Sequence, residues 1–252
     1  MGIIRPDSGD IRVFNEEISG DNRDQIGYMP QLNALYNELS VEENVGFFAQ
    51  MHGMSDKKTR IKAVDEVLEL VVLTDRRKDS ILSLSGGMKQ RVAMAIGISL
   101  KPSMIIADEP TSALDVVVQR QIMQTLGRLQ EGLDATILLV GHDMGLVAQF
   151  ADTIGVMYAG RLVEVGPVDS VFSNPKHPYT RLLIDSLPSL DEKKDFIGIP
   201  GLPPQLINLP NGCAFEERCP SRFERCPKEI PEALNLGDRR RVACHLFENE
   251  AK

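Results

Sequence analysis

The sequence predicts an α/β fold: a parallel sheet with helices packed on it, preceded by a run of helices and followed by a small cysteine-bearing extension. Three observations predict it. Two short apolar runs, "MIIA" at 104–107 and "TILLVG" at 136–141, flank a helical stretch from about Val116 to Glu131. Strand, helix, strand with unbroken apolar strands marks parallel pairing in a sheet covered on both faces. Between residues 40 and 100 the apolar residues recur at helical spacing. All four cysteines fall between 213 and 244, behind a stretch rich in Pro and Gly.

Along the chain, "SGDIRVFNEEI" and "QIGYMPQ" read as strands and turns. Ser40 and Glu43 have the spacing of a capping box and open a helix through "VEENVGFFAQMH", which Gly53 ends. A second helix, roughly Asp56 to Leu73, carries Ile61, Val64, Val67, Leu68 and Val71 on one face. Ser85 starts a third, with two glycines in its first turn. "TIGVMYAGRLVEVG" alternates on either side of Ala159–Gly160, as an antiparallel hairpin does. After Pro188 the texture changes to that of a linker, so domains are expected at 1–190, with a helical part at about 40–100, and at 191–252.

Composition narrows the function. Of 252 residues 42% are hydrophobic and 25% charged, as in globular proteins. A net charge of -8, no Trp and 5% aromatics disfavour a nucleic-acid partner. No apolar run reaches the ~18 residues that span a bilayer, and "MGIIRPDSGDIRV" lacks the parts of a signal peptide. The expectation is a cytosolic or peripheral membrane chain. Cysteines clustered in a reducing compartment suggest metal more than disulfides.

Two stretches carry chemistry. In "SMIIADEPTSALD" an apolar strand ends on adjacent carboxylates, Asp108 and Glu109, the arrangement that serves a metal-bound phosphate just beyond a strand end. In "LSLSGGMKQR", Ser85, Gly86 and Gly87 stand at a helix start, where bare N–H groups let a phosphate approach. "SGG" alone is no more than a glycine-rich cap. The acidic strand that follows favours the phosphate reading.

Together these stretches resemble the ABC-type ATPases: "LSGGMKQR" their signature motif and "MIIADEPTSALD" their Walker B strand and D-loop. His142 in "LLVGHD" matches their switch histidine and Gln31 in "IGYMPQ" their Q-loop glutamine. The resemblance implies a P-loop NTPase-like parallel sheet with a helical subdomain, binding ATP and Mg²⁺. It implies Asp108 and Gln31 at Mg²⁺, Glu109 as general base and His142 at the γ-phosphate. Ser85, Gly86, Gly87, Gln90 and Asp115 complete the expected nucleotide contacts. The G-x-x-x-x-G-K-[ST] phosphate loop is not found, since no glycine here is followed by lysine. The expectation is an N-terminally truncated domain that begins just past that loop and hydrolyses ATP at background rate alone.

From about residue 80 the chain resembles the ATPases of oligopeptide/dipeptide importers, as in "NPKHPYTRLLIDSLPSL", whereas "IGYMPQLNALYNELSVEENVGFFAQMHG" resembles drug- and ion-exporter ATPases. The expected partners are transmembrane permease subunits, a second ATPase subunit and, indirectly, a peptide-binding protein, with the chain at the cytoplasmic face of the inner membrane. A non-catalytic remnant with a metal-binding tail is the rival from another class. Cys213, Cys219, Cys226 and Cys244 follow C-x5-C-x6-C-x17-C, a set that suits zinc or an iron–sulfur cluster. The importer resemblance implies a 4Fe–4S cluster, with zinc as the alternative. Arg218, Arg222, Arg225 and Arg239 to Arg241 read as a solvated basic face.

Overall fold

The computed structural model describes residues 6–17, 22–187 and 198–249; most of the expected linker, at 188–197, lies outside the described residues. The chain divides into two compact units, Met1–Asp143 and Met144–Lys252.

The first unit opens with a two-residue antiparallel pair, β1 (Arg12–Val13) and β2 (Glu16–Glu17), and continues into β3 (Ile26–Met29). Helix α1 (Val41–Met51) begins at the expected capping box: Ser40 Oγ accepts from the Glu43 N–H while the Glu43 carboxylate accepts from the Ser40 N–H at 2.8 Å. Gly53 follows at φ +100, a conformation that glycine adopts without steric cost. Asp56 caps α2 (Lys57–Leu70), which buries Val64, Val67 and Leu68; Ile61, expected on the same face, is half exposed. Ser85 caps α3 (Gly86–Ile98), and β4 (Met104–Asp108), α4 (Val116–Leu133) and β5 (Thr136–Val140) follow.

The sheet order is β3-β4-β5, all parallel, with Met29 opposite Ala107 and Asp108 opposite Val140. Its strand ends therefore present 29–31, 108–109 and 140–142 side by side. One face of β4 is fully covered, with Ile105 and Ala107 buried, and its other face is half-buried, whereas one face of β5 is exposed. On the exposed face of β5, the edge strand, Leu138 and Val140 are 48% and 46% exposed. Gly27 is dictated by packing: a Cβ there would lie 2.2 Å from the Gly97 carbonyl oxygen, so strand and helix α3 meet backbone to backbone.

The second unit holds α5 (Met144–Ala148), the expected hairpin β6 (Thr153–Tyr158) and β7 (Arg161–Pro167), α6 (Val168–Ser173), α7 (Pro178–Asp185), β8 (Ala233–Gly237) and β9 (Arg240–Ala243). The antiparallel order β6-β7-β9-β8 carries the cysteine-bearing tail into the hairpin's own sheet, so pairing crosses the compositional boundary at residue 190. Phe215 plugs the core between Tyr158 and Tyr179, at ring separations of 5.1 and 5.3 Å. Glu164 is fully buried; it accepts from the Lys176 and His177 N–H groups at 2.9 Å and pairs with Arg240 at 2.6 Å. Arg240 also donates to the Asn174 carbonyl at 2.6 Å.

Of the basic face, Arg222, Arg225, Arg239 and Arg241 are exposed as expected, whereas Arg240 is buried and Arg218 half-buried. Arg218 reaches Tyr158 and the carbonyls of Ile199 and Pro200, Arg222 pairs with Glu216, and Arg225 pairs with Glu229 and Glu248. A compact tail with little apolar surface is held instead by its guanidinium groups.

His177 caps α7, its Nδ1 accepting from the Tyr179 N–H at 3.1 Å. Burial pushes it down to about 4, against a smaller opposing pull from Glu164. Between pH 6.5 and 4 the unfolded chain holds this proton and the folded chain does not, so stability falls as the pH falls through that window. The expected loss is roughly 3 kcal/mol by pH 4. Urea unfolding followed from pH 7 to 4 measures it, and His177→Asn, which keeps a capping oxygen, should flatten the slope.

Candidate functional site

The site lies at the C-terminal ends of β3, β4 and β5, where open parallel sheets place their ligands. Glu109 follows β4 with φ +45, a left-handed backbone costing about 1–3 kcal/mol for a non-glycine residue. Its N–H continues the sheet ladder to the Val140 carbonyl at 2.9 Å. The strained turn brings the carboxylate between two partners: Gln31 Nε2 donates to Oε2 at 2.9 Å, and His142 Nδ1 lies 3.5 Å from Oε1. Three residues far apart in sequence thus meet on one carboxylate.

Asp108, at the end of β4, is half-buried and accepts from the Tyr28 hydroxyl at 3.3 Å. Tyr28 is held above the usual phenol range by burial and by this carboxylate. Sequence reasoning missed Tyr28; its signal was the alternation of "IGYM", which turns every second residue of β3 to one side.

The helix-start residues divide by role. Ser85 is exposed, and its Oγ accepts from the Met88 N–H at 3.3 Å, so it caps α3 and leaves the Gly86 and Gly87 N–H groups without an intrahelical partner. The glycines have a second cause. A Cβ on Gly87 would lie 2.5 Å from Val118 Cγ1, and one on Gly86 3.1 Å from Leu114 Cδ2. Gln90 is buried, and its Oε1 accepts from Asn33 Nδ2 at 2.7 Å. Asp115 accepts from the Val118 N–H at 3.0 Å and caps α4. The cap uses one oxygen of an exposed carboxylate.

For Mg²⁺ the donors fit. A hard ion that keeps its waters and takes one or two carboxylates plus substrate phosphates needs no preformed cage, and Asp108 with Gln31 supplies oxygens beside Glu109. For the cysteine tail the chemistry fits but the ligand set is not assembled. Among the described residues no group of three or more His, Cys, Asp or Glu side chains is placed to hold a metal ion. The thiols of Cys213, Cys219 and Cys244 are pushed up by burial, Cys244 to about 11, with the neighbouring cysteines adding to the shift.

Comparison with known proteins agrees with this geometry. The sequence model of the family described as ABC transporter matches residues 1–112, and that of the oligopeptide/dipeptide transporter, C-terminal region, matches residues 163–226. The dipeptide transport ATP-binding protein DppD of Bacillus subtilis (strain 168) is 37% identical over 247 residues, 96% of this chain and 74% of its own. DppD of Caldanaerobacter subterraneus subsp. tengcongensis is 39% identical over 244 residues, 94% of this chain and 75% of its own. The di/tripeptide transport ATP-binding protein DppF of Pseudomonas aeruginosa is 35% identical over 258 residues, 98% and 80% of the two chains. Residues 20–80, which resemble exporter ATPases on their own, fall inside alignments of this breadth. Among solved structures, cbiO1 from Clostridium perfringens, part of the ABC transporter complex cbiONQ, superposes with a TM-score of 0.63 and 31% identity over 69% of this chain and 71% of its own. The chain belongs to the ATP-binding proteins of ABC transporters, in the branch that carries the oligopeptide/dipeptide transporter C-terminal region.

Proposed function

We propose that this chain is the ATP-hydrolysing subunit of a peptide-importing ABC transporter. The observation that carries the catalytic part is Glu109 held between Gln31 and His142 at the ends of neighbouring strands. The peptide assignment is supported by the names of the relatives and by the match over 163–226.

In this reading Glu109 accepts the proton of the attacking water, and Gln31 and His142 hold its two oxygens in place until phosphate arrives. His142, exposed and hinged on the end of β5, turns toward the terminal phosphate. Asp108 and Gln31 are the residues that would hold Mg²⁺, which neutralises charge on the phosphates. The start of α3 offers Ser85 and the Gly86 and Gly87 N–H groups to the nucleotide of a paired ATPase subunit. Replacing Ser85 by Glu sets an anion against that phosphate and should lower ATP turnover of the assembled transporter about two- to fivefold, the order of magnitude of an exposed helix-terminus charge contact. Turnover equal to wild type in Ser85→Glu would remove α3 from the nucleotide site.

The permease partner is proposed to dock at a cavity of about 700 Å³ in the first unit, whose lining includes Tyr28, Leu35, Phe48, Met51, Ile96 and Leu100. Pro30, next to Gln31 in the chain, also lines it, so a short amphipathic helix of the permease seated there would press on the segment that touches Glu109. Among the described residues no helix is long and apolar enough to cross a membrane.

The four cysteines are proposed to take a metal centre, zinc or a 4Fe–4S cluster. Support comes from the Cys213 N–H, which donates to the Cys226 carbonyl at 2.8 Å and so sets two of the four cysteines side by side. Protein purified without oxygen should contain metal that Cys219→Ser abolishes. Iron with sulfide indicates the cluster, zinc alone the other centre, and metal-free protein overturns both.

A further inference from the structure

Tyr28 and Asp108 meet because of strand register. Tyr28 stands opposite Ile106 in the parallel pairing of β3 and β4, and Asp108 lies two residues further on, on the same face of the sheet. The side chain has to run about 7 Å along the strands to reach the end of β4, a span that calls for a long side chain. Its hydroxyl arrives 3.3 Å from Asp108 Oδ2. An ionised carboxylate can only accept, so the phenol is the donor.

The root of this side chain is fixed. A Cβ on Gly27 would lie 2.2 Å from the Gly97 carbonyl oxygen and 2.9 Å from Pro102 Cγ, so β3 and α3 touch through their backbones just before Tyr28. From the other side of that contact, a Cβ on Gly97 would lie 3.4 Å from the Tyr28 carbonyl oxygen. Packing does not account for the ring itself. Tyr28 is 40% exposed, and its polar end lies on the carboxylate next to the one that Gln31 and His142 hold. The two acids at the end of β4 thus have separate keepers.

The bond to Asp108 is also long, against the roughly 2.5–3.0 Å usual between a hydroxyl and an oxygen. It steers the carboxylate without tying it down, and it takes one oxygen while leaving the other to a cation. Carboxylates that hold metal ions are themselves hydrogen-bonded by an outer partner, which fixes the direction in which the ligand oxygen points.

We propose that Tyr28 is a positioning residue for Mg²⁺: its hydroxyl orients the Asp108 carboxylate toward the ion that accompanies the nucleotide. The proposal rests on the reading of Asp108 as a residue that holds Mg²⁺, and it adds one that touches neither the ion nor the nucleotide.

The test measures binding of a non-hydrolysable ATP analogue to the assembled transporter, once as its magnesium complex and once in EDTA, with Asp108→Asn as the control. Tyr28→Phe keeps the ring, and with it the part of the cavity wall that Tyr28 supplies, and removes only the hydroxyl. It should weaken binding of the magnesium complex about tenfold, the lower end of what an outer partner contributes, and leave metal-free binding within about twofold. A hydroxyl that served packing would move both affinities together or neither. Asp108→Asn should lose affinity for the magnesium complex as well, and adding Tyr28→Phe to it should cost nothing further, because the hydroxyl acts through that carboxylate. Metal-free binding reports in every variant that the site is folded. Unchanged or tighter binding of the magnesium complex in Tyr28→Phe, while Asp108→Asn is weakened, overturns the proposal and leaves the reading of Asp108 standing. Equal losses with and without Mg²⁺, or losses that multiply in the double variant, do the same. Asp108→Asn that binds the magnesium complex as wild type does overturns the reading of Asp108 and the proposal with it.

Discussion

Glu109→Gln is expected to lower ATP turnover of the assembled transporter by 10²–10⁴-fold, about the contribution of a general base. Glutamine keeps the size and the capacity to bond Gln31, so the fold should be undisturbed. It cannot accept the proton, and its amide no longer attracts a protonated His142 at 3.5 Å. The loss should fall on kcat with ATP binding retained, because Glu109 acts on the attacking water and not on the nucleotide's resting contacts. His142→Ala should mimic part of it. A Glu109→Gln transporter that turns over within tenfold of wild type would place the base elsewhere.

The largest expected effect on stability is at Arg240. Arg240→Ala leaves the Glu164 carboxylate buried, holding the Lys176 and His177 N–H groups but without its countercharge. Breaking a buried pair from one side costs about 3–5 kcal/mol. The cost should be confined to the second unit, where β9 would lose its tie to β7 and to the Asn174 carbonyl. Hydrogen exchange should therefore rise in β8 and β9 first, while β3, β4 and β5 keep their protection. Glu164→Gln with Arg240→Met, which removes both charges, should cost much less than Arg240→Ala alone. Equal costs for the two variants would show that the cation is not what Glu164 needs.

These two residues also show what could be read from the sequence. The capping boxes and caps at Ser40, Asp56, Ser85 and Asp115 involve partners three residues away, so the chain itself displays them. The Glu109 cluster was legible for another reason: Gln31, Glu109 and His142 stand in motifs whose order implies their meeting. Nothing local announces Glu164 and Arg240, which are 76 residues apart and would each pass for a surface charge on an alternating strand. The same holds for the bond between Gln90 and Asn33, 57 residues earlier. Gly87 was legible only in part, because the Val118 methyl that excludes a Cβ lies on another helix. The pattern "NPKHPYT" gains a physical meaning it lacks as a string. Its Asn174 carbonyl binds Arg240, its Lys176 and His177 N–H groups bind Glu164, and its Tyr179 packs on Phe215. The motif is the seat on which the tail is built.

ATP-driven accumulation of a radiolabelled dipeptide tests the central claim most directly. Vesicles carrying the permease, its binding protein and this ATPase should take up dipeptide when ATP is supplied on the side that holds the ATPase. Uptake and turnover should fall together in Glu109→Gln. Turnover that is indifferent to peptide and unaccompanied by uptake, in vesicles where wild type and Glu109→Gln behave alike, would contradict the account.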